Sequence, residues 1–132
     1  MAALIDASVL VAIERGALSP DTLASRYSDQ DVALSAVTAS ELLHGVERTA
    51  GAQRQRRQAF VENLLARVPV VAFDLVAARV HASLWAALAQ AGVSIGERDL
   101  LIAATAMAHG GWVVTRDRRS FPHIPGLRTD IL

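Results

Sequence analysis

Apolar residues in this chain follow two rhythms. Short, nearly unbroken apolar runs at residues 2–5, 32–35, 68–71 and 112–115 read as buried strands of a parallel sheet, with Pro69 placing the third at an edge or a strand start. Between them, apolar positions recur at three- and four-residue spacing, which predicts helices. The first covers residues 7–15 and stops at Gly16; the second opens at Ser19-Pro20-Asp21 and runs to Tyr27. A third starts around Thr38 and carries Leu42, Leu43 and Val46, with Glu41 in its first turn, and a fourth spans residues 52–67. Asp74 caps a fifth helix through Ala89, residues 92–98 form a loop, and a strongly apolar helix over residues 99–109 ends at Gly110-Gly111. The Pro- and Gly-containing tail is a loop that ends in a short edge strand near residues 127–129.

Strands alternating with helices predict an α/β fold, a mainly parallel sheet with helices on both faces. The length of 132 residues suits a single domain over residues 1–132. In such sheets ligands bind beyond the carboxyl ends of the strands. Asp6 directly follows the first strand, and Asp117 lies two residues past the last of the four runs, so both fall at that edge.

Composition narrows the chemistry. Hydrophobic residues make up 52% of the chain, ample for a packed core. Thirteen basic residues balance thirteen acidic ones, so no global field points to nucleic acid and charge has to be read locally. All thirteen are Arg, which excludes a catalytic lysine; the absence of Cys excludes disulfides, thiol nucleophiles and thiolate metal sites. The start of the chain lacks the basic region of a signal peptide, and no apolar run approaches the roughly 18 residues of a membrane span. The expectation is a cytoplasmic protein with no membrane association.

Four acids stand at telling places: Asp6, Glu41, Asp99 at the head of the apolar helix, and Asp117. Carboxylates brought together repel, and a hard divalent cation with oxygen ligands compensates them. Mg²⁺ or Mn²⁺ at such a site suits hydrolysis of a phosphodiester. Each acid also has a purely structural explanation. Thr38-x-x-Glu41 fits a capping box, Asp99 suits a helix N-terminus, and Asp117 in Arg116-Asp117-Arg118-Arg119 suits a surface ion pair. Asp6, set in Ala-Leu-Ile-Asp-Ala-Ser-Val-Leu, is costly to bury without a partner.

Four stretches in order, Leu4-Ile5-Asp6-Ala7-Ser8-Val9-Leu10, Ser40-Glu41-Leu42-Leu43-His44-Gly45, Asp99-Leu100-Leu101-Ile102-Ala103-Ala104-Thr105-Ala106 and Val114-Thr115-Arg116-Asp117-Arg118-Arg119-Ser120-Phe121, carry a resemblance. Over nearly its whole length the chain resembles a VapC-type PIN domain. The resemblance implies a three-layer α/β/α sandwich and a Mg²⁺- or Mn²⁺-dependent endoribonuclease, the toxin of a toxin–antitoxin pair. Asp6 and Asp99 would be its principal metal ligands, Glu41 and Asp117 would contribute directly or through water, and Ser8 and Thr115 would support the acids. It further implies homodimers and a cognate antitoxin whose tail occupies the active groove. Two positions depart from the pattern: Ala7 stands where Thr is frequent, and Asp117 where many members carry Asn.

Arg116 and Arg118, beside a proposed ligand, are candidates for RNA phosphate contacts, whereas Arg48, Arg54, Arg56 and Arg57 read as a solvated helix face. Trp85 and Trp112 read as core, and the four histidines show no metal-site spacing. The helix over residues 77–91 and the apolar helix after Asp99 are core with apolar surface to spare for a homodimer contact. Two rivals remain in view. A phosphatase or phospho-receiver would need Asp-x-Asp after the first strand or a key Lys, and this chain has Asp6-Ala7-Ser8 and no Lys. The other is a catalytically silent PIN-like module that binds RNA or protein, which the presence of all four acids disfavours.

Overall fold

A computed structural model describes residues 2–28 and 31–132. Five strands, β1 (Ala3–Ile5), β2 (Val32–Ser35), β3 (Val70–Val71), β4 (Trp112–Thr115) and β5 (Thr129–Ile131), form one sheet in the order β3-β2-β1-β4-β5. Every pairing is parallel. Six α-helices connect them: α1 (Ala7–Glu14), α2 (Pro20–Arg26), α3 (Ala36–Glu47), α4 (Gly51–Arg67), α5 (Leu75–Ala91) and α6 (Glu97–Ala108).

Alternation along the strands builds the two cores. Ala3, Ile5, Leu34 and Val114 point toward α1–α4, while Leu4, Ala33 and Val113 point toward α5 and α6, as a pleated strand with both faces covered requires. The result is the expected three-layer α/β arrangement. Helix starts are chemically marked: Ser19 Oγ accepts from Asp21 N, and Asp74 Oδ1 accepts from Ala77 N at 2.9 Å. The α6 helix ends through Gly110 at φ 69°, a left-handed position suited to glycine.

Several expectations change. The last strand is Thr129–Ile131 rather than residues 127–129, and β3 is only Val70–Val71 because Pro69 has no N–H for the ladder. Helix α3 begins at Ala36, immediately after β2, with Ser35 rather than Thr38 as its cap: Ser35 Oγ accepts from Thr38 N at 2.9 Å. Glu41 therefore sits in the second turn. Trp85 is not core; it is 63% exposed. Helix α6 is consumed by the core, with Leu100 and Ile102–Ala106 buried, so the spare apolar surface lies on α5, at Leu75, Val76 and Trp85, and just before it, at Val70 and Phe73. No helix among the described residues is long and apolar enough to cross a membrane.

Candidate metal and catalytic site

The carboxyl edge of the sheet gathers the acids. Register places Ile5 opposite Val114, so Asp6 and Thr115 emerge side by side from β1 and β4. The Asp6 backbone N–H donates to Val114 O at 2.8 Å, which locks this exit. Asp6 is the N-cap of α1 by position, yet its side chain caps nothing. Instead Oδ2 accepts from Ser8 Oγ at 2.7 Å and Thr115 Oγ1 at 2.8 Å, in a residue only 7% exposed. Two donors on one oxygen supply the partners that burial of a carboxylate demands. The other oxygen remains for a further ligand or donor.

The same hydroxyls brace the β4 exit. Ser8 Oγ accepts from Arg116 N at 3.1 Å and Thr115 Oγ1 from Asp117 N at 3.0 Å. Asp117 Oδ1 accepts from Arg119 N at 2.8 Å, a local turn closure that engages one of its oxygens. The guanidinium of Arg119 is 3.9 Å from the same oxygen and almost fully exposed, so this ion pair contributes little.

Glu41 does not form the capping box that its spacing allowed. Thr38 is occupied by Ser35, and Glu41 Oε1 is buried with no hydrogen-bond partner. Burial, followed by the charges of Asp6 and Asp99, pushes the Glu41 carboxyl above the usual carboxylate range, and Arg98 pulls it partly back. Asp99, in the first turn of α6, is raised as well. Burial is the main cause; the neighbouring Ser120 hydroxyl, which lacks a well-formed hydrogen bond of its own, opposes it, and Asp6 and Asp117 add to it. The four acids thus sense one another across α3, α6 and the ends of β1 and β4.

Among the described residues, no three acidic or histidine side chains already stand at mutual ligand spacing. The donor set nonetheless suits a hard cation: all oxygen, mutually repelling, with a buried carboxylate oxygen left unpartnered. Mg²⁺ in particular keeps several waters and takes only one or two carboxylates directly.

Arg98 and Ser120 did not stand out in the sequence. Both adjoin recognised positions, Arg98 next to Asp99 and Ser120 just beyond Asp117, and only the packing of α6 against α3 and the β4 exit reveals which acid each one faces. Arg116 and Arg118 are exposed beside the site. Of the residues read as a solvated helix face, Arg54 pairs with Glu47 at the surface, but Arg57 reaches Glu14 on α1 at 3.1 Å and ties two helices together.

Comparison with known proteins shows the family and the fold. The PIN domain family model matches residues 3–127. Ribonuclease VapC1 of Rickettsia felis is 31% identical over 128 residues, 96% of this chain and 93% of the relative. The tRNA(fMet)-specific endonuclease VapC of Shigella flexneri is 34% identical over 97 residues, 74% of this chain and 72% of the relative. In the crystal structure of DNA-bound VapBC from Salmonella typhimurium, a chain superposes with a TM-score of 0.88 at 27% identity, over 98% of each chain. The chain belongs to the PIN-domain family, on its VapC ribonuclease branch.

Proposed function

We propose that this protein is an endoribonuclease toxin that hydrolyses RNA phosphodiesters with Mg²⁺ or Mn²⁺, with Asp6, Glu41, Asp99 and Asp117 as its working acids. The observation that carries the reading is the buried, unpartnered Glu41 Oε1 beside the Asp6 and Asp99 charges, an arrangement that costs stability. In this reading Asp6 and Asp99 hold the ion, with Glu41 and Asp117 assisting directly or through water. A divalent ion bound there supplies positive charge for the phosphoryl oxygens and lowers the pKa of a coordinated water.

The chain's own groups do the rest. Ser8 and Thr115 fix Asp6 in one orientation by donating to the same oxygen. Glu41, with its Oε1 free of a hydrogen-bond partner, is suited to take and release a proton at that atom. Arg98, Arg116 and Arg118 supply charge for RNA phosphates at the rim.

Two similar solved structures are of VapBC proteins, a family of toxin–antitoxin systems, which supports a cognate antitoxin here. An apolar groove of about 520 Å³ between α1, α2 and α4, lined by Leu10, Leu23, Phe60 and Leu64 and by none of the four acids, suits an antitoxin segment bound outside the active groove that the resemblance implies for its tail. The exposed Phe73, Leu75 and Val76 suit a homodimer contact.

The test is incubation of the protein with mixed structured RNAs, with and without Mg²⁺ or Mn²⁺, alongside Asp99→Asn. Cleavage that requires metal and is lost in the folded variant supports the nuclease. Full cleavage in excess EDTA defeats the metal mechanism. Metal binding without cleavage of any RNA favours the silent binding module.

A further inference from the structure

A second cleft, of about 560 Å³, opens between the end of α5 and the start of α6. That volume falls within the range of sites that enclose small ligands. Trp85 forms one wall, Leu88 and Leu100 belong to its lining, and Ser94 and Glu97 add polar groups. The indole is 63% exposed, an unusual position for the largest apolar side chain in a protein with only two Trp. It is held in place: His81 packs against it with ring centroids 5.7 Å apart, and Phe73 packs edge-on against His81 at 5.8 Å.

The location links this cleft to the acidic site. Glu97 and Leu100 line it from the first turn of α6, the turn that also carries Asp99. Between Glu97 and Asp99 stands Arg98, exposed and making no ion pair within 4 Å among the described residues. An aromatic wall, a carboxylate in the cleft and a free guanidinium on the path to the acids match one ligand: a single-stranded nucleotide. A base stacked on the indole would present its exocyclic amine to Glu97, and its adjoining phosphate would be within reach of the Arg98 charge.

We propose that the Trp85 cleft binds an unpaired, amine-bearing nucleobase of the RNA next to the cut site. This extends the ribonuclease reading by giving it a specificity element. The apolar patch of Phe73, Leu75 and Val76 adjoins this wall through the Phe73–His81 contact, while Val76 itself lies nine residues from Trp85, about 180° around the helix axis, so the oligomeric state is one arm of the test.

The test uses the full chain with Trp112→Phe, which leaves Trp85 as the only indole. In EDTA, oligocytidylate and oligoadenylate quench its fluorescence more strongly than oligouridylate, and Glu97→Gln narrows the difference. With metal, Trp85→Ala raises KM for single-stranded RNA about tenfold, as loss of a stacked base does. The same variant leaves kcat within about twofold, and Trp85→Phe restores KM. Absence of quenching, or an unchanged KM in Trp85→Ala, overturns the proposal. So does sedimentation showing that Trp85→Ala converts a dimer to monomers, because the indole then faces a second copy. If the wild type cuts no RNA, the nuclease reading fails while the fluorescence arm still decides: base-dependent quenching sustains the cleft and its absence ends it.

Discussion

Thr115 Oγ1 donates to Asp6 Oδ2 across 2.8 Å, joining the ends of β1 and β4 over 109 positions of sequence. The bond exists because the parallel register sets Ile5 opposite Val114, so the next residues on each strand leave the sheet together. A hydrogen bond to a charged group contributes about 1.5–3 kcal/mol, and its loss leaves the carboxylate under-satisfied. Thr115→Val keeps the shape and removes the donor. The expected outcome is a lower Tm and roughly 10–100-fold weaker metal binding by calorimetry, with Thr115→Ser close to wild type. Equal metal affinity in Thr115→Val would mean that Ser8 alone orients Asp6.

The raised Glu41 and Asp99 carboxyls make the metal-free protein sensitive to pH in a defined direction. Between the ordinary carboxylate pKa and their raised values, the folded state holds more protons than the unfolded chain. Their contribution to stability is therefore present at low pH and is lost as pH rises through the raised values. Glu41→Gln removes one of the repelling charges. Its metal-free Tm at neutral pH should rise by a few degrees, on the order of 1 kcal/mol, while cleavage falls at least about a hundredfold. Mn²⁺ should raise the wild-type Tm more than that of the variant. A Glu41→Gln protein less stable than wild type without metal would remove the argument that this carboxylate is held at a cost.

Much of the architecture is legible in the apolar pattern, since buried parallel strands and capped helices leave local signals at Asp6, Ser19, Asp74 and Gly110. What escapes is whatever depends on tertiary placement. Thr38-x-x-Glu41 has the spacing of a capping box, but Ser35, three residues earlier, takes the cap and frees Glu41. Trp85 has the size of a core residue and lies on an Ala-rich helix, yet its angular position on α5 puts it beside a cleft. Arg98 reads as one of many arginines until α6 packs against α3 and brings its charge to bear on Glu41.

Arg98 gives a prediction with a clear sign. Its positive charge lowers Glu41, so Arg98→Ala should move the Glu41 titration of the metal-free protein to higher pH, read by carboxyl-carbon NMR. Arg98→Lys should hold it near the wild-type value, and Arg54→Ala, at the exposed Glu47 pair, should not move it. An unmoved Glu41 titration in Arg98→Ala would leave Arg98 as an RNA contact alone.

Two glycines separate a backbone requirement from mere composition. Gly111 leads from the cap of α6 into β4, and a Cβ there would collide with the carbonyl oxygen of Ala2, a backbone atom that can yield only if β1 moves. That oxygen also accepts from Trp112 N at 3.2 Å, in the same ladder that aligns Asp6 with Thr115. Gly111→Ala should therefore cost at least about 1–3 kcal/mol by thermal or urea unfolding. It should also weaken metal binding, because the strain falls on the strand pair that carries the site. Gly45, inside α3, is the control: its added Cβ meets only the Arg57 side chain, at 3.9 Å. Gly45→Ala should stabilise the fold by about 0.5–1 kcal/mol through helix propensity, without touching the acids. If both substitutions proved neutral, the close approach of β1 to the α6–β4 turn would not be what fixes the register at Asp6.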